Sequence, residues 1–140
     1  MIIVELKKYV LIITDGQAST DKMAAYITEV LTDAHVVTLS APNFSGADIL
    51  PGEIYFFGCE KPHPPSFSCL ATILQHINLA GRPCGIFSPN SQRAVKYLAG
   101  MVRDSELALY ARPFLSGGPG DIKDWVAEVI GETTNLVGVV

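Results

Sequence analysis

The sequence lacks the features that announce most α/β enzymes. It contains no Gly-Lys-Ser or Gly-Lys-Thr tripeptide, which excludes a phosphate-binding P-loop. It has no Gly-x-Ser-x-Gly elbow for a serine hydrolase. After the first apolar run there is one glycine, Gly16, where a dinucleotide fingerprint needs three. No cysteine follows that run, so a thiol phosphatase is excluded. The third apolar run ends Phe-Phe-Gly-Cys without an aspartate, so a phosphoacceptor domain is excluded as well. His35, His63 and His76 lie far apart and form no pair at zinc-ligand spacing.

Positive charge is also scarce. Ten Lys and Arg stand against fourteen Asp and Glu, for a net charge of −4, and the longest basic feature is Lys7-Lys8. That balance argues against nucleic acid as a partner. No apolar stretch approaches the ~20 residues of a membrane span. The opening MIIVEL is too short for a signal peptide's apolar region and has no basic residue ahead of it. A cytoplasmic protein is expected. The three cysteines agree, since an odd, sparse count reads as free thiols rather than a disulfide frame. Cys59 reads as a small buried side chain, and Cys69 and Cys84 as core residues of a helix and a strand.

What the chain does have is an alternation of apolar runs and amphipathic stretches. YVLIIT (9–14), AHVVTLS (34–40), EIYFFGC (53–59), PCGIFS (83–88) and ELALYA (106–111) are nearly continuous in apolar residues, as in parallel strands covered on both faces. Between them, Met23, Ile27, Val30 and Leu31 keep helical spacing. So do Leu70, Ile73, Leu74 and Ile77, then Ala94, Val95, Leu98, Met101 and Val102, and finally Ile122, Trp125, Val126, Val129 and Ile130. APNFSGADILPG (41–52) holds at most a short helix. The pattern predicts an α/β fold with a doubly wound, five-stranded parallel sheet and helices on both faces. One domain spans 1–140, with its core at about 8–131. The apolar ends, 1–8 and 133–140, add an edge strand, cover this domain's own core, or pack on a partner such as a second copy.

In such a sheet, ligands sit beyond the carboxyl ends of the strands. The loop DGQAST (15–20) leads into a helix whose positive end would face a bound anion. Ser19 and Thr20 supply hydroxyls, and either is also a good N-cap. SGGPG (116–120) is a second donor-rich loop, read mainly as a connection.

With the loops placed, the chain resembles the short-chain flavodoxin family from about Lys8 to Gly131. YVLIITDGQASTDKMAAYI (9–27) is similar to that family's opening strand, phosphate loop and first helix. Residues 54–88 resemble its third strand, first flavin loop, helix and fourth strand, and RAVKYLAGMV and DIKDWVAEVI its last two helices. No long insertion breaks the fifth strand. The resemblance implies a three-layer sandwich whose five-stranded parallel sheet has the order 2-1-3-4-5, FMN held noncovalently, electron transfer with a redox partner protein, and no catalytic side chain. Its phosphate loop falls on Asp15, Gly16, Gln17, Ala18, Ser19 and Thr20, of which Thr20 keeps the family's residue type. Gly58, Cys59 and His63 fall in the first flavin loop, with Phe67 a further ring candidate. Ser88, Asn90 and Ser91 fall in the second, which has no aromatic; Tyr97 follows in the next helix. Asp15 replaces a hydroxyl donor and Ala18 a glycine. Two readings therefore stand: an FMN-binding redox protein, and a flavin-free relative serving as an interaction or regulatory module.

Overall fold

The computed structural model describes residues 8–40, 44–110, 112–115 and 119–138, with side chains in the last helix described for 122–131. The elements run β1 (Tyr9–Thr14), α1 (Ala18–Val30), β2 (His35–Ser40), α2 (Gly46–Ile49), β3 (Ile54–Gly58), α3 (Pro65–His76), β4 (Pro83–Ser88), α4 (Gln92–Arg103), β5 (Ala108–Leu109), β6 (Phe114–Leu115) and α5 (Pro119–Gly138). All pairs are parallel and the order is β2-β1-β3-β4-β5, with β6 also on β4. This is the flavodoxin-like α/β sandwich.

Strand periodicity sorts the core into two halves. Leu11, Ile13, Tyr55 and Phe57 face one side, against Phe67, Leu70 and Leu74 of α3 and Ala94, Val95, Leu98, Met101 and Val102 of α4. Val10, Ile12, Ile54 and Phe56 face the other, against Met23, Ala24 and Ile27 of α1 and Ile122, Trp125, Val126 and Val129 of α5. The helical stripes expected from spacing are the faces that bury.

Three expectations need correction. The run 106–111 is not one strand. Cys84 pairs with Leu109 and Phe87 with Phe114, so three steps along β4 match five along its partner. Pro113 carries no N–H for a ladder and falls in that break. β2 is a half-exposed edge strand rather than one covered on both faces. Cys69 is exposed on α3, off its apolar stripe, whereas Cys59 and Cys84 are buried as expected. The backbone of 133–138 continues α5, so this end adds no edge strand; residues 1–7 and 139–140 lie outside the described residues. Of SGGPG, residues 116–118 lie outside them too, and Pro119 opens α5.

Trp125 is fully buried and packs edge-on to Phe56, with Phe87 and Phe114 also against it. Its indole N–H donates to the Arg112 carbonyl at 2.7 Å. Gly85 is the reason it fits: a Cβ there would lie 2.8 Å from Trp125 Cζ2 and 3.0 Å from Val129 Cγ2. Gly85→Ala is therefore expected to destabilise by about 1–3 kcal/mol through overpacking. Urea unfolding measures this, and the penalty should shrink in a Trp125→Leu background, where the obstructing ring is gone.

Candidate functional site

Parallel register brings the carboxyl ends of the strands to one line. Thr14 lies opposite Ser40 on one side and Gly58 on the other; Gly58 in turn lies opposite Phe87, and Ser88 opposite Leu115. The loops at 15–17, 59–64 and 89–91 leave from this line. Buried Thr14 organises the first of them. Its hydroxyl donates to Asp21 Oδ1 at 2.7 Å, lies 3.0 Å from Ser40 Oγ, and accepts the Gly16 N–H at 3.3 Å. Gly16 has φ 81°, a left-handed conformation that suits glycine.

Asp15 does not turn out to solvent. It is 8 % exposed, and its carboxylate accepts the Gln17 N–H at 3.2 Å and the Glu60 N–H at 2.8 Å. A buried carboxylate needs such donors, and backbone N–H groups supply them here. Glu60 reaches back, and its carboxylate accepts from the Ser19 hydroxyl. The loop after β1 and the start of α1 are thus tied to the loop after β3 by two links, each ending on a carboxylate. The cleft between them, of about 270 Å³, is lined by Asp15, Gln17, Glu60, Lys61 and His63 with three prolines; Lys61 is its only lysine or arginine.

The helix begins earlier than its hydroxyls suggested. Gln17 is the N-cap of α1, without a side-chain cap bond, so Ala18, Ser19 and Thr20 are its first three residues. Neither Ser19 nor Thr20 is the cap. Ala18 does not have positive φ, so its position does not call for glycine. The N–H groups of this first turn have no intrahelical acceptor. Thr20 is fully buried, and its Oγ1 has no hydrogen-bond partner among the described residues. The site therefore has two unlike halves: open donors at the helix start, and carboxylates across from them.

The ring loops hold less than expected. Gly58 is glycine because the Phe87 ring crosses it, 2.2 Å from where a Cβ would stand. Phe67 is wholly buried against Phe44, so it is a core residue and faces no ligand. His63 is exposed with φ 55°, and its ring centroid lies 4.4 Å from that of Tyr97. The two rings touch each other instead of flanking a gap. In the second loop, Ser88 is buried and accepts the Ser91 N–H at 3.3 Å, Ser91 caps α4 by accepting the Ala94 N–H at 3.0 Å, and Asn90 is exposed. All three therefore build or flank the entry to α4. Thr14, Asp21 and Glu60 belong to the site and were not singled out from sequence; Glu60, next to Cys59 at a strand end, was the most accessible signal.

Cys59 sits at the meeting of these loops. Burial, and then the charge of Asp15, push its thiol up to about 12. Burial alone pushes Cys84 to about 12. Only a thiolate attacks a disulfide reagent. In the native protein at about pH 8, an aromatic disulfide reagent should therefore modify exposed Cys69 in a fast phase and leave Cys59 and Cys84 until unfolding. Cys69→Ser should abolish the fast phase.

Neither the protein families nor the curated proteins compared with this chain give a match. Solved structures do. Oxidised flavodoxin 2 from Bacillus cereus is similar at a TM-score of 0.78 and 14 % identity, over 89 % of this chain and 99 % of that one. A flavodoxin of Streptococcus pneumoniae TIGR4 is similar at 0.72 and 14 %, over 89 % and 98 %. General stress protein 14 of Treponema denticola, solved in complex with FMN, is similar at 0.56 and 9 %, over 92 % and 99 %. At these identities the likeness establishes the fold alone: this chain has a flavodoxin-like fold.

Proposed function

We propose that this domain works without a resident FMN, as a flavodoxin-fold interaction or regulatory module in the cytoplasm, with about 8–131 as its folded unit. The observation that carries this reading is Asp15, whose carboxylate accepts the Gln17 and Glu60 N–H groups. A phosphate in this loop would meet that charge, with Glu60 alongside. Two like charges ~4 Å apart at an effective dielectric of 20 repel by about 4 kcal/mol, roughly a thousandfold in affinity. The contact between His63 and Tyr97 supports the same reading, because a flavin ring would have to part them. These residues do not fit FMN. The exposed, unpaired Cys69 suits a reducing compartment.

One observation favours the second reading, an FMN-binding electron carrier with a redox partner protein. Thr20 Oγ1 is buried without a partner at the start of α1. A bound phosphate would satisfy it, and the Treponema denticola relative in fold is described in complex with FMN. Flavin fluorescence separates the two. The wild-type protein is expected to leave FMN emission unchanged at ~100 µM protein. Asp15→Thr should gain up to about a thousandfold in affinity as the charge is removed. Saturable quenching by the wild type overturns the flavin-free reading. A wild type and an Asp15→Thr variant that bind FMN equally overturn the charge argument.

A further inference from the structure

A second and larger cleft runs between α3 and α4, of about 860 Å³. It shares Pro62 and His63 with the loop cleft, but its chemistry is opposite. Arg93, Lys96, Gly100 and Arg103 all line it. They are exposed and stand at i, i+3, i+7 and i+10 of α4, within one face of the helix. Among the described residues the one ion pair joins Arg112 to Glu128, and none of their carboxylates holds any of these three cations. Asp104, at the far end, is the one acidic residue lining the cleft. A basic strip of this kind stands out on a chain of net charge −4.

Two further features mark the strip as more than a solvated face. Gly100 lies inside α4, where glycine is less favourable than alanine. A Cβ there would meet nothing within 4 Å among the described residues, so no contact among them asks for glycine. It leaves a notch between Lys96 and Arg103. At the other end His63 holds a left-handed backbone, uncommon for a side chain with a Cβ, and sets its ring on Tyr97. Both rings line the cleft, with Met101 on its apolar floor.

We infer that the α3/α4 cleft docks an acidic segment of a partner protein, its carboxylates on Arg93, Lys96 and Arg103 and an apolar side chain over Tyr97 and Met101. The choice rests on charge complementarity and on length. The cations span about ten residues of helix, roughly 15 Å, more than one phosphate or carboxylate can bridge. The inference deepens the interaction-module reading and rests on it. The FMN experiment tests that reading separately, so failure of one is distinguishable from failure of the other.

The test uses the whole chain and a fluorescein-labelled peptide of about 15 residues, with glutamates at the spacing of Arg93, Lys96 and Arg103 and leucines between them. Fluorescence anisotropy should show saturable binding that weakens with salt. The R93Q/K96Q/R103Q variant should lose about tenfold or more. Gly100→Leu, which changes no charge, should lose as much by filling the notch, whereas Lys22→Gln, at an exposed position of α1, should bind as the wild type does. Circular dichroism checks that each variant is folded. Absence of saturable binding overturns the inference, and so does full binding by Gly100→Leu. Equal affinity for a mixed-sequence oligonucleotide would assign the strip to polyanions in general and overturn it too.

Discussion

Everything at the candidate site follows from β1 pairing in parallel on both sides. One strand end, Thr14, is thereby set between Ser40 and Gly58. The residue after it must emerge between two loops, and that residue is Asp15. Once a carboxylate is buried there, it must find donors or carry a heavy desolvation cost. It finds them in the N–H groups of Gln17 on its own loop and Glu60 on the neighbouring one. A bond between residues 45 apart in sequence thus ties the two loops on which a ligand would depend. The same carboxylate charge, after burial, helps keep the Cys59 thiol protonated.

The two clefts meet at the 60–65 loop and differ in sign. One is lined by Asp15 and Glu60 beside Lys61, the other by Arg93, Lys96 and Arg103 with Asp104. The net charge conceals this division, because it sums over a surface whose parts are organised separately. His63 belongs to both clefts, and its left-handed backbone turns the ring toward Tyr97. A segment seated in the basic cleft would therefore touch the same loop that Asp15 holds through Glu60.

Much of the fold was legible because periodicity reports burial directly. In α4, the five residues at helical spacing are the five that bury. Cys69 was misread although it lies one residue off the stripe of Leu70, Ile73, Leu74 and Ile77; residue type was allowed to outweigh position. β2 was expected to be covered on both faces because its apolar content is high, although its place in the strand order already put it at an edge. The start of α1 was misplaced for a related reason. Hydroxyl residues are strong caps, but the turn at Gly16 lets Gln17 begin the helix without one. At the site, Asp15 could be singled out by position. Glu60 could be noticed beside Cys59 at a strand end, but its bond to Asp15 could not, since their meeting depends on the register of β1 with β3. The unpaired Thr20 Oγ1 is likewise a property of packing that no single residue announces.

The break between β5 and β6 has a consequence for how copies of this chain meet in crowded solution. A sheet border offers unpaired amides to any other extended chain, and a long flat one templates fibrous stacking. Among the described residues that border consists of two dipeptides separated by an offset of two residues and a proline. At the opposite border, β2 turns His35, Thr38 and Ser40 to solvent. A foreign strand could add to neither for long without losing register or burying polar side chains. The irregularity that sequence reading smoothed into one strand thus acts as a guard, keeping a hydrophobic parallel sheet from recruiting further strands.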